Sequence, residues 1–241
     1  ASRPGYNEDA PSTMTFDEQT RLSIKSALAA EVLQGADLEL VSFMSTTQLP
    51  RNRVTSNGIR GDAEEVDDHP DSTNILISLK TRNFLVSAGL AYSSTLLWRW
   101  IAHLPGLDIT ALLYRGEIVG AALGFYSDAE HTYLTHVTAT HRDLRAGVGI
   151  GFFLRKQQLR LVAQRVDSTR GPFEVVSLSA NAGANSRGAV EFQQRVLLKL
   201  GFQELPDALS IIQRIGDANP ELELNRVLQQ DVTPLRFRQV R

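Results

Sequence analysis

The chain has 241 residues, enough for one large domain or for one domain of ordinary size with an extension. Its residues are 42% hydrophobic and 22% charged, which excludes global disorder, and 25 basic against 27 acidic side chains leave a formal net charge of −2, which excludes a broad basic nucleic-acid surface. No apolar run reaches the about 18 residues of a membrane span, no secretory signal is read, and zero Cys removes disulfides, Cys-ligated zinc and a thiol nucleophile. A cytoplasmic protein without a metal is the expectation, and the start at Ala1 without Met points to a trimmed end.

Residues 1–14 are polar, with Pro4, Gly5 and Pro11, and read as a loose tail. Thr15-Phe16-Asp17-Glu18 has the spacing of a capping box, and the apolar positions Leu22, Ile24, Leu28, Val32 and Leu33 then predict a helix with Gly35 as its stop. Residues 38–44 predict a strand. Residues 45–73 are acidic and rich in turn formers, the pattern of a linker. From residue 74 the texture changes. NILISL (74–79) reads as a strand and 93–104 as a helix, with Trp98 and Trp100 as packing residues. DITALLY (108–114), a short turn, IVGAALGFY (118–126) and the Thr-rich TYLTHVTAT (132–140) predict an antiparallel meander. Residues 149–166 predict a helix with Ile150, Leu154 and Leu161 on one stripe and Arg and Gln opposite. FEVVSLSA (173–180) reads as a buried strand, 186–200 as a helix ended by Gly201, and FQEL with ALSIIQRI as a closing strand pair. Residues 216–241 read as a solvated tail with a basic end. The whole predicts an α+β, or mixed α/β, sheet flanked by helices. The expected organisation is an N-terminal extension (1–73), a main domain (74–215) and a C-terminal tail (216–241).

The chemistry is concentrated between Val137 and Leu154. A strand ends, Arg142 and Arg145 follow, glycines stand at 147, 149 and 151, and a helix starts at once. Unpaired N–H groups at a helix start attract anions, and glycine lets a ligand approach the backbone. The segment therefore suits a phosphate or pyrophosphate, with the two arginines adding charge-assisted bonds. The glycine spacing is neither that of a P-loop nor that of the dinucleotide fingerprint. A glycine-rich corner that binds nothing is the other reading of the same residues.

At this segment the chain resembles the GNAT superfamily of acyl-CoA-dependent N-acyltransferases. The family's phosphate loop is Arg or Gln, two residues, Gly, one residue, then Gly or Ala; Arg145-Ala146-Gly147-Val148-Gly149-Ile150-Gly151 matches it with one extra residue. The hairpin LLYRGEIVGAALGF looks like the family's second and third strands, and VVSLSANAGANSRGAVEFQQRVLLKLGFQE looks like its fifth strand, an Asn, a helix and the closing Leu-Gly-Phe. The resemblance covers about residues 74–215. It implies a GNAT-like central mixed sheet with an N-terminal helical extension. It further implies that acetyl-CoA or another acyl-CoA lies between parted fourth and fifth strands. Its pantetheine amides would pair near Val137 and Ala139, its pyrophosphate would sit on the N–H groups of Gly147, Val148, Gly149, Ile150 and Gly151, and Asn185 would lie beside the arm or simply cap the next helix.

For catalysis the resemblance implies a backbone N–H, here that of Val137, at the tetrahedral oxyanion, an interaction worth about 3 kcal/mol. Candidate bases are His136, Tyr133, Glu130 and His131; His136 and Tyr133 have opposite parity on a strand, so only one is expected to face the cleft. His141 reads as a turn residue. Leu197 stands where many family members have a Tyr acid. The expected activity is transfer of an acyl group, acetyl first, to a small-molecule or peptide amine. A long-chain acyltransferase fed by an acyl carrier protein, and a non-catalytic acyl-CoA sensor, are the alternatives. The helix near residues 15–34 is expected to fold over the acceptor side or to dock on a second copy in a homodimer, away from the phosphate site.

Overall fold

The computed structural model describes residues 14–44, 72–88, 104–145, 147–166, 168–180, 193–224 and 232–237. The expected linker, the helix at 93–103, Trp98, Trp100, Asn185 and Ala146 lie outside the described residues. In chain order the elements are α1 (Glu18–Ala30), β1 (Leu38–Met44), α2 (Ser72–Ser87), β2 (Leu107–Tyr114), β3 (Glu117–Ser127), β4 (Thr132–Thr140), α3 (Ile150–Arg165), β5 (Glu174–Ala180), β6 (Phe202–Glu204), α4 (Pro206–Ala218) and β7 (Val232–Phe237). They form the expected mixed α+β architecture, one sheet in the order β1-β2-β3-β4-β5-β7-β6 with helices on its faces. β4 and β5 are the parallel pair; every other pairing described is antiparallel.

Two apolar layers sandwich the sheet. One joins Phe84 and Leu85 of α2 with Ile211, Ile212 and Ile215 of α4 over Leu134, Val137 and Ala139 of β4. The other joins Ile24 and Leu28 of α1 with Ile150, Phe153 and Leu154 of α3 over Leu40, Leu112 and Ala122. α3 thus packs on the face opposite to α2 and α4.

Several expectations are corrected. Asp17, and not Thr15, caps α1: its carboxylate accepts from the Thr20 N–H at 2.8 Å. NILISL is not a strand but lies inside α2, because the apolar run continues at helical spacing through buried Thr81, Phe84 and Leu85. ALSIIQRI likewise lies in α4, not in a strand: Pro206 starts the helix, and Ala208, Ile211, Ile212 and Ile215 fall on its buried stripe. The C-terminal segment is not only a solvated tail. Its residues 232–237 form β7, inserted between β5 and β6. The segment before residue 73 also supplies sheet, since β1 pairs along its whole length with β2, from Leu38 opposite Tyr114 to Met44 opposite Asp108. α1 docks on α3. Glu31 pairs with Lys156 and Arg160, and Arg21 donates to the Asp143 carbonyl beside the glycine corner.

Candidate active site

β4 and β5 pair only from Thr132 opposite Glu174 to Thr135 opposite Ser177. β5 pairs with β7 on its other edge from Val175 to Ala180, while residues 136–140 of β4 have β3 on one side and no β5 partner on the other. Val137 and Ala139 lie on this open stretch, their side chains in the α2/α4 core. The peptide groups along an unopposed strand edge need hydrogen-bond partners.

The register of β3 against β4 slips here. Leu123 faces Val137, yet the next residue, Gly124, faces Thr135, so His136 is the extra residue of a β-bulge. The bulge overturns the parity expectation. Leu134 and Val137 share the α2/α4 core although they are three positions apart, an odd spacing. Alternation back from Val137 therefore puts His136 on the α3 face, where Tyr133 packs with Leu159 and Val162 of α3.

The two are nevertheless different groups. Tyr133 is fully buried, and its hydroxyl donates to Asp108 Oδ2 at 2.7 Å; burial pushes its pKa well above the ordinary value. A substrate has no access to it. His136 is half-buried, and desolvation, with the nearby Arg155 charge, holds its pKa down to about 4. Its ring is therefore neutral at pH 7, and a far weaker base than the ordinary imidazole the sequence led one to expect. Glu130 and His131 lie in the turn before β4, at the end where β4 and β5 are paired. Glu130 accepts from Arg214 at 3.0 Å; His131 accepts from the Tyr126 hydroxyl at 2.7 Å and donates to the Gly171 carbonyl at 3.1 Å. The geometry brings neither to the open stretch. His141 accepts from the Asp143 N–H at 3.2 Å and packs edge-on against Phe16, the turn role expected of it.

The glycine corner follows directly from the open end of β4. Gly147 and Gly149 are exposed with φ of 76° and 90°, and a Cβ on either would meet nothing within 4 Å. Between and after them, Val148 and Ile150 are 4% and 1% exposed, anchored in the α1/α3 core. The alternation holds the loop while leaving its glycine backbone bare. Gly149 caps α3 without a side-chain bond, and the first intrahelical bond runs from the Phe153 N–H to the Gly149 carbonyl at 3.0 Å. The N–H groups of Ile150, Gly151 and Phe152 therefore stand at an open, 16-residue helix start, where partial positive charge collects. Arg142 and Arg145 are exposed beside it, Arg145 donating to the Thr140 carbonyl at 3.2 Å.

Sequence reasoning missed a buried polar layer between α3 and the sheet. The Arg and Gln positions of α3 that looked solvent-facing are instead inside: Arg155, Gln157, Gln158 and Arg165 are 3%, 4%, 0% and 3% exposed. Asp108 Oδ1 accepts from Arg165 at 3.0 Å, and its Oδ2 accepts from Gln158 at 2.8 Å as well as from Tyr133. Arg165 also donates to the Ser42 carbonyl of β1 at 3.0 Å. Burial raises the Asp108 pKa and lowers that of Arg155 to about 10. A helix carrying polar residues on every side gives no periodicity from which this layer could have been read.

Leu197, the residue at the expected acid position, is 2% exposed in an apolar cluster with Val175 and Phe202. No helix among the described residues is long and apolar enough to cross a membrane.

No protein-family model matches the chain, and no curated protein does. Solved structures do share its shape. A proposed GNAT-family acetyltransferase from Desulfovibrio desulfuricans aligns at TM-score 0.45 and 14% identity over 68% of this chain and 92% of its own. A proposed GNAT-family acetyltransferase from Bacteroides thetaiotaomicron aligns at 0.44 and 11% over 73% and 89%. Arabidopsis thaliana Naa50, solved with a bisubstrate analogue, aligns at 0.37 and 17% over 58% and 82%.

Proposed function

We propose that the protein is an N-acyltransferase that moves an acyl group, acetyl in the first instance, from an acyl-CoA to an amine. The observation that carries the reading is one juxtaposition. The edge of β4 from residue 136 to 140, unopposed among the described residues, leads through the short turn at Arg142–Leu144 to the bare glycine backbone at the start of α3. A pantetheine arm supplies amides for such an edge, and a pyrophosphate suits such a helix start. Arg142 and Arg145 add charge there. The Val137 N–H, next to the bulge, is the group assigned to the oxyanion. His136 is the base assigned to the ammonium acceptor, acting at its low pKa through water. Tyr133 and Glu130 are left out of the mechanism because each is already engaged elsewhere.

In the reaction the amine nitrogen attacks the thioester carbonyl, the tetrahedral oxyanion collapses, the C–S bond breaks and CoA leaves as thiolate. Apolar burial of Leu197 favours a second reading, an acyl-CoA sensor without turnover, because no acid stands at that position. CoA titration by calorimetry and thiol release from acetyl-CoA with a panel of amines test both. Binding with amine-dependent release is the expected result. Binding without release selects the sensor, and no binding removes both.

A further inference from the structure

Among the described residues, Arg155 carries a buried charge that no carboxylate contacts directly. The side chain is 3% exposed. Nη1 donates to the Leu123 carbonyl at 3.3 Å and to Gln158 Oε1. Nε is buried without a hydrogen bond, and Nη2 makes none among the described residues. Asp108 is the one buried carboxylate among the described residues, and Arg165 holds it at 3.0 Å. Two buried guanidiniums thus share one buried carboxylate. His136 adds no negative charge. A buried cation left unpaired is strongly unfavourable unless something supplies the counter-charge.

The free side of Arg155 is its Nε–Nη2 edge, the fork that receives both oxygens of a carboxylate in parallel. A thiolate or a carbonyl oxygen offers a single atom and does not match it. Arg155 Nη1 binds the carbonyl of Leu123, which pairs with Val137 beside the bulge residue His136, where the β4–β5 pairing has ended. Thr138 lies two residues further along the open stretch, opposite Ala122 of the α1/α3 core, and its hydroxyl is likewise buried without a hydrogen bond. Two unsatisfied donor groups therefore lie on the α3 side of the sheet.

We propose that Arg155 binds a carboxylate carried by one of the two substrates, at the α3 side of the gap between β4 and β5. The identity of those substrates rests on the acyl-transfer reading; the unpaired fork does not. The carboxylate comes either from a dicarboxylic acyl group on the donor or from an amino acid acceptor.

The test uses the full chain, with Arg155→Met and Arg155→Lys beside it. In thermal melts at constant ionic strength, succinate should raise the midpoint of the parent and neutral succinamide should not. Arg155→Met should lose that response. Arg155→Lys keeps the charge without the fork and should retain only part of it, which protects the test should the Met variant fail to fold. Two kinetic arms separate the sources. Succinyl-CoA against butyryl-CoA reads the donor, and alanine and glutamate against their amides read the acceptor. One arm should discriminate by on the order of tenfold to a hundredfold in kcat/KM, and the discrimination should collapse in the variants. Equal responses to succinate and succinamide, or discrimination unchanged in Arg155→Met, overturn the proposal. CoA titration keeps the two readings apart. CoA binding without carboxylate selectivity sinks the role of Arg155 alone, and a succinate response without CoA binding sinks acyl transfer alone.

Discussion

The Tyr133 hydroxyl of β4 donates to Asp108 Oδ2 of β2 at 2.7 Å, straight across Gly124 of the strand between them. A Cβ on Gly124 would lie 1.8 Å from that hydroxyl, so the glycine is required for the bond to form. The same carboxylate binds Arg165, which in turn holds the β1 carbonyl of Ser42. Three strands and α3 thus meet at one buried carboxylate.

The first prediction concerns this junction. Tyr133→Phe removes one donor from a buried carboxylate and should lower stability by about 1–3 kcal/mol. Asp108→Ala strands the buried Arg165 charge and should cost more, about 3–5 kcal/mol. Urea unfolding gives both values. A Tyr133→Phe protein within about 0.5 kcal/mol of the parent would show the bond to be incidental.

The second concerns the glycine corner. Gly149 sits at φ 90° with open space around its missing Cβ. Gly149→Val should fold, at a strain cost of about 1–2 kcal/mol, but its side chain would stand where a phosphate must approach. CoA affinity should drop by at least about tenfold, as expected on losing one charge-assisted bond. A variant that binds CoA as tightly as the parent would take the pyrophosphate away from this corner.

The third concerns pH. His136 titrates near 4 in the folded protein, against about 6.5 unfolded. The unfolded chain therefore binds the proton first. The stability linked to this ring is fully present above pH 6.5 and is lost as pH falls from there toward 4. His136→Gln should lose less stability than the parent between pH 7 and pH 5, measured by urea midpoints. It should lower turnover without removing a pH–rate limb near 6.5, since none belongs to this residue. Equal acid sensitivity of the two proteins, or loss of a limb near 6.5 in the variant, would contradict the burial of the ring.

What was legible in the sequence was local. The meander from Asp108 to Thr140 was read from alternating apolar residues and short turns, and the glycine corner from its three glycines beside a helix start. The bulge at His136 was not, because a one-residue slip leaves no compositional mark; it reversed the predicted relation of His136 to Tyr133. The buried polar layer was hidden for a related reason. Arg155 and Arg165 on a helix normally mark a solvent face, and only long-range contacts, of Arg165 with Asp108 and of Arg155 with the Leu123 carbonyl, bury them. The strand in NILISL and the strand in ALSIIQRI failed together, since short apolar runs do not distinguish a strand from one face of a helix.

The last prediction concerns the chain ends, which read as extension and tail but supply sheet. β7 lies between β5 and β6 and is the strand through which β6 joins the sheet. Pro234 faces Leu178 of β5 beyond the last residue that β6 pairs, Leu235, so its missing N–H breaks no bond to β6. Arg236 clamps the strand from the side. It donates to both Glu174 oxygens at 2.7 Å and also pairs with Asp207 at the start of α4. Leu235 is 1% exposed in the cluster that holds Phe202. Ending the chain at Asp231 should therefore unpair β6, open the apolar layer around Leu235 and abolish cooperative unfolding. A chain starting at Ser72 should fail in the same way, since it lacks β1 and the Ser42 carbonyl that receives Arg165. By contrast, a chain starting at Met14 keeps α1 and β1 and should unfold like the parent. Circular dichroism melts with CoA titration decide it. A Ser72 protein that melts cooperatively and binds CoA would restore the boundary near residue 73 and make β1 a dispensable edge.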